Sequence, residues 1–140
     1  PDMEVVLIRQ YRHGIQDVTL EIPGGLVESY DDPRSAALRE LKEETGYEGQ
    51  NVQFVTSVHP NPAIQDNMRH SFVVWDAHPA GSQQLDAKED IDLVLTPLSH
   101  IPELIRSQAI THSLVLCAFF AFFSSMRPDL ICPRTPEPGS

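Results

Sequence analysis

Three glutamates, Glu40, Glu43 and Glu44, crowd one short stretch of the chain, with Arg39 beside them. On an α-helix, at about 100° per residue, their carboxylates share one arc roughly 100° wide. Like charges four residues apart destabilise a helix, and acids near its C-terminal end oppose its dipole. Local stability therefore disfavours this arrangement, whereas a bound divalent cation would turn the repulsion into attraction. The stretch from Gly25 to Glu48 holds seven acidic residues, Glu28, Asp31, Asp32 and Glu48 among them, against Arg34, Arg39 and Lys42. Taken alone, the cluster also fits a solvated acidic helix face.

The elements that must position these acids are readable. Asp31 and Asp32 offer N-terminal caps, Pro33 suits a first turn, and Gly46 suits the position past the end. These signals predict a helix over 34–45. Leu38 and Leu41 would anchor it, small Ala36 shares the carboxylate face, and Arg39 can orient a carboxylate. Strands are predicted at 4–9, 18–22, 52–59, 71–77 and 91–96, with Pro23-Gly24-Gly25 ending the second. Helices are expected at 101–107 and 111–125. In the latter, Leu114, Leu116, Cys117, Phe119, Phe120 and Phe123 cover most of the circumference, which predicts deep burial, with Cys117 a small buried hydrophobe. Strands interleaved with few helices indicate an α/β layer protein. Residues 1–126 read as one domain and 127–140, with four prolines in 14 residues, as an extended tail. The chain opens almost inside a strand, so the natural protein is expected to begin earlier and to have lost its first segment here.

Composition narrows the classes. At 140 residues the chain has room for one domain and one site. Its net charge of −10 and pI near 4.8 argue against a nucleic-acid polymer or an anionic membrane as partner. The longest apolar run, 114–123, falls short of the about 20 residues a bilayer helix needs. Two cysteines, Cys117 and Cys132, make neither a disulfide framework nor a zinc site. A reducing, cytoplasmic setting is expected.

The order Gly25, five residues, Asp31, seven residues, then Arg39-Glu40-Leu41-Lys42-Glu43-Glu44-Thr45-Gly46-Tyr47 resembles the signature box of the Nudix hydrolases. Asp31 stands where that family has Glu, and Tyr47 fills the final apolar position. The flanks extend the likeness. Arg9-Gln10-Tyr11-Arg12 followed by Glu21-Ile22-Pro23-Gly24-Gly25 resembles the ADP-ribose and nucleotide-sugar pyrophosphatase branch. Pro62, Lys88-Glu89-Asp90-Ile91 and Thr111-His112-Ser113-Leu114 also resemble segments of that branch.

The resemblance implies an α/β/α sandwich with a mixed sheet and a catalytic loop-helix-loop. It implies Mg²⁺-dependent cleavage of a nucleoside diphosphate sugar, with Mn²⁺ as a substitute ion. Glu40, Glu43 and Glu44, with the Gly24 carbonyl, would hold the metal. Glu43 and Glu44 would also serve catalysis, and Glu89 is the candidate general base within the acidic loop 86–92, where a solvated loop acid is the other reading. Arg9, Arg12, Glu21 and Pro62 are candidate substrate contacts; for the two arginines and Glu21 a strand-edge salt bridge is the alternative. Tyr11 could stack on a base or pack locally. Asn61, Gln65, Asp66, Asn67 and Arg69 form a polar loop that could cover substrate. The six histidines show no metal spacing and are expected as caps, surface sites or substrate contacts, and His112-Ser113 lacks a nucleophile elbow. A homodimer is implied. Two further functions stay open: hydrolysis of damaged nucleoside triphosphates or dinucleoside polyphosphates, and a non-catalytic nucleotide-sugar sensor.

Overall fold

A computed structural model describes residues 3–25 and 32–132. Glu28, Asp31 and residues 133–140 lie outside the described residues.

Strand β1 (Glu4–Arg12) runs three residues beyond its predicted end, because Gln10, Tyr11 and Arg12 pair with Thr19, Val18 and Asp17 of β2 (Asp17–Glu21) across a hairpin. Helix α1 (Pro33–Thr45) follows. A two-residue β3 (Tyr47–Glu48) leads to β4 (Val52–Val58) and β5 (Arg69–Val74), then β6 (His78–Pro79) and β7 (Ile91–Pro97). Helices α2 (Ile101–Arg106) and α3 (Ser113–Met126) close the order. Sequence reading missed only the shortest strands, β3 and β6, too brief to show a period.

The strands form a β2-β1-β7 sheet and the pairs β3-β6 and β4-β5. All four ladders among the described residues are antiparallel, so the mixed pairing expected of the sheet is not seen within them. Leu7 and Ile8 are neighbours in β1 and so point to opposite faces, yet their exposures are 0% and 1%. The sheet is therefore covered on both sides at this point of β1, while Leu93 and Leu95, which share the Ile8 face from β7, are 39% and 44% exposed. Leu7 joins Leu98, Ile101, Ile110, Val115, Phe119, Phe122 and Phe123 in the main core. Against the other side of β1 and β7 packs α1, placing its carboxylates near the strand ends.

Two expectations fail. Helix α3 is not apolar-buried all round: Val115, Ala118, Phe119, Phe122 and Phe123 form a stripe at i, i+3, i+4, i+7 and i+8, while Phe120 is 71% exposed and Cys117 is exposed. Only one flank of the helix meets β4 and the core, and hydropathy cannot distinguish that flank from the other. The tail after Met126 does not begin extended either. Pro128–Leu130 form a 3-10 turn, with Arg127 bidentate to Asp129 at 3.0 Å. Proline suits the first position of such a turn, and the ion pair closes it.

Candidate active site

Helix α1 is built to hold its last turn rigidly. Asp32 caps its start by accepting the Ser35 amide at 2.9 Å, and Gly46 ends it in the left-handed region at φ 75°. Ala36 and Leu41 bury its inner face. The Thr45 hydroxyl donates to the Leu41 carbonyl at 2.5 Å and accepts the Tyr47 amide at 3.1 Å.

The final carbonyls of a helix lack partners within it. Here the segment after β6 supplies them. Gln84 N–H donates to the Glu43 carbonyl at 2.7 Å, Ala80 N–H to that of Gly46 at 2.8 Å, and the Gln83 side chain to that of Glu44 at 2.7 Å. The Gln83 amide also reaches the Ile91 carbonyl at 3.0 Å, tying β7 to the helix end. A Cβ on Gly46 would collide with the Gly81 carbonyl, so the two backbones meet at a distance only glycine permits.

This docking brings the turn 86–89 up to the carboxylates. Glu89 closes that turn, its carboxylate accepting the Asp86 amide at 3.0 Å while its own amide donates to the Asp86 carbonyl at 2.9 Å. Glu44, 4% exposed, accepts the Gly24 amide at 2.9 Å. Burial pushes the Glu44 carboxyl up to about 7, with Glu40 and Glu89 adding to the shift, against the Gly24 amide and Arg12, which favour the charged form. Glu40 is raised too, by burial and by Glu43, Glu89 and Asp86, with Arg39 opposing. Arg39 lies 3.8 Å from Glu40 and 3.9 Å from Glu43, whose side chain is 40% exposed. A Cβ on Gly25 would run into the Glu40 carboxylate, and one on Gly24 would lie 2.6 Å from an Arg69 nitrogen.

Beside this cluster, Arg12 grips Glu21 through Nε and Nη2 at 2.8 and 2.7 Å. The Thr19 hydroxyl also donates to Glu21, and His112 Nε2 lies 3.7 Å away. Burial works against the Glu21 charge, but Arg12, Thr19 and His112 outweigh it and hold the carboxyl below its ordinary value.

The structure thus brings Gly24, Glu40, Glu44, Glu89, Arg12 and Glu21 into one region, with Glu43 and Arg39 on its rim. Arg9 is not gathered in: it is three residues before Arg12 in β1, hence on the opposite face, and exposed. Pro62 lies exposed in a turn closed by the Asn61 carbonyl. Thr19, Gln83 and the His112–Glu21 contact were missed from sequence. Thr19 was findable, since it shares the Glu21 face at a two-residue spacing; Gln83 carries no local signal.

Among the described residues, no three acidic, imidazole or thiol side chains close into a ready-made metal cage. The donor chemistry still fits a hydrated divalent ion. Mg²⁺ prefers hard oxygen ligands and keeps several waters, so it needs few carboxylates rather than a complete shell. Burial raises both Glu40 and Glu44, with neighbouring acids adding to the shift, so a cation held between them would favour their charged forms.

A sandwiched antiparallel sheet with an acid-bearing helix docked at its strand ends defines the class, and residues 1–115 match the NUDIX domain; the chain belongs to the Nudix family. It is 33% identical over 116 residues to the methanol dehydrogenase activator of Bacillus methanolicus, covering 82% of this chain and 63% of that protein. It is 27% identical over 108 residues to the ADP-ribose pyrophosphatase of Bacillus subtilis, covering 76% of this chain and 58% of that one. A crystal structure of an ADP compounds hydrolase superposes with a TM-score of 0.79 at 25% identity, covering 91% of this chain and 70% of that one. The chain spans about three fifths of the length of the two Bacillus relatives. No helix among the described residues is long and apolar enough to cross a membrane.

Proposed function

We propose that the protein hydrolyses the pyrophosphate bond of ADP-ribose or another nucleoside diphosphate sugar, giving a nucleoside monophosphate and a sugar phosphate. The observation that carries this reading is Glu44: a carboxylate 4% exposed that accepts the Gly24 amide at 2.9 Å, one helical turn from Glu40, and whose charge Glu89 also faces. Its substrate class is supported by the relatives named for ADP-ribose and other ADP compounds.

In this reading Glu40, Glu43, Glu44 and the Gly24 carbonyl hold Mg²⁺, with Mn²⁺ as substitute. When bound, the ion neutralises the diphosphate and lowers the pKa of a coordinated water. Gly25 keeps the space Glu40 occupies. Glu89 accepts a proton from the attacking water, held at the site by its own turn. Arg12, oriented by Glu21, binds a phosphate oxygen. Arg9 and Pro62 lie outside this inner set. A homodimer and a cytoplasmic setting remain part of the proposal.

The test is a panel of ADP-ribose, other nucleoside diphosphate sugars, nucleoside triphosphates and dinucleoside polyphosphates with Mg²⁺ or Mn²⁺, and Glu44→Gln as control. Turnover of the diphosphate sugars that is lost in the control supports the reading. Preference for triphosphates or polyphosphates overturns the substrate class. Tight ligand binding by calorimetry without turnover would make the protein a sensor.

A further inference from the structure

We propose that His112 is a positioning residue for the anion-binding arm formed by Arg12 and Glu21, an inference that rests on the function proposed above. His112 is the N-cap of α3, and its Nδ1 accepts the Leu114 amide at 3.1 Å. That bond assigns the ring proton to Nε2. Nε2 in turn lies 3.7 Å from Glu21 Oε1, the oxygen that accepts Arg12 Nη2 at 2.7 Å.

Glu21 is therefore held from three elements. Arg12 comes from β1, Thr19 from β2 and His112 from the start of α3. The Glu21 side chain is 5% exposed, so water cannot replace a lost donor, whereas the Arg12 side chain is 45% exposed. Arg12 spends Nε and Nη2 on Glu21, which leaves Nη1 for an incoming phosphate oxygen. At 3.7 Å the histidine contact is longer than a hydrogen bond. An anion drawing on Arg12 pulls the carboxylate with it; Thr19 holds Oε2, and His112 limits the movement of Oε1.

Asparagine caps helices well, so His112→Asn keeps the α3 cap while withdrawing the group that faces Glu21. The expected result is an unchanged Tm and a KM for ADP-ribose raised roughly three- to fivefold, with a smaller change in kcat. His112→Ala removes both roles and lowers Tm as well. His112→Gln, with a longer amide, recovers part of the KM. Independently of turnover, the Arg12 Nε–H resonance in ¹⁵N NMR, protected from solvent exchange in the wild type, exchanges faster in His112→Asn. A His112→Asn variant with wild-type KM, or with an unaltered Arg12 resonance, overturns the inference. A wild type that cleaves no diphosphate sugar overturns the proposed function instead, and the NMR comparison still decides whether His112 orders the arm.

Discussion

Arg12 stands opposite Asp17 in the β1–β2 ladder, yet gives its paired donors to Glu21, further along β2. The guanidinium lies back along the sheet, on the face that carries Thr19, toward the end of the strand where Pro23 and Gly24 begin. Asp17 is occupied locally, accepting the Val18 amide at 2.7 Å. The choice of the distant acid turns a possible edge salt bridge into a directed arm. It also sets a cation beside Glu44, where burial has left negative charge under-compensated.

Glu44→Gln should separate catalysis from folding. Glutamine still accepts the Gly24 amide but carries no charge into the buried site. A fall in kcat of at least about a hundredfold is expected, with Tm in EDTA at pH 8 equal to or above wild type. Steady-state kinetics and calorimetry on one preparation check both halves.

The raised Glu44 carboxyl fixes a sign for the pH dependence of stability. Between the ordinary glutamate value and about 7 the folded chain holds a proton that the unfolded chain has released. Its contribution is therefore present at low pH and lost as pH rises through about 7. Glu21, held below its ordinary value, acts oppositely and loses its contribution as pH falls through the acid range. In EDTA, Tm should decline from about pH 5 to 8, and millimolar Mg²⁺ should flatten that decline by favouring the charged carboxylates. A decline unaffected by Mg²⁺ would show that the ion does not act at this carboxyl.

Gly25→Ala places a methyl group where the Glu40 carboxylate lies. The obstacle is the end of a flexible side chain, so the fold can yield, but the carboxylate must leave its position. Tm should change little, while activity falls about tenfold or more and the Mg²⁺ concentration for half-maximal rate rises. A Mg²⁺ titration of initial rates reads this directly.

Gly46→Ala should do the reverse. Its φ of 75° and the closeness of the Gly81 carbonyl leave no room for a side chain. A loss of roughly 2 kcal/mol or more is expected from left-handed strain and the backbone clash together, measured by urea denaturation. A variant as stable as wild type would mean that α1 and the loop 80–84 are not bound as described.

Gln83→Ala removes two side-chain bonds, to the Glu44 and Ile91 carbonyls. The expected cost is about 1–2 kcal/mol, together with a lower kcat as Glu89 loses its fixed approach to the carboxylates. Hydrogen exchange should show the 80–90 segment opening while α1 stays protected.

The catalytic helix was legible because its signals are local. Asp32, Pro33 and Gly46 mark its ends, and three-and-four spacing places the glutamates on one arc. The strands were legible from their β-branched and aromatic runs, to within a few residues. What escaped the sequence depends on partners far along the chain. Nothing near Gln83 or Gln84 announces that they will meet the carbonyls of Glu44 and Glu43. Nothing near Cys117 or Phe120 says which flank of α3 meets the core, since both flanks are apolar. Arg9 and Arg12 looked equivalent until the strand was seen to run through both, which places them on opposite faces.

The bonds from Ala80, Gln83 and Gln84 to the end of α1 divide the following segment into two parts. Residues 80–84 are an anchor shared with the helix, and the turn 85–90 hangs between that anchor and β7. Both ends of that turn are thus fixed by residues outside it, so the position from which Glu89 approaches the carboxylates is set by the helix end and β7 rather than by the turn itself.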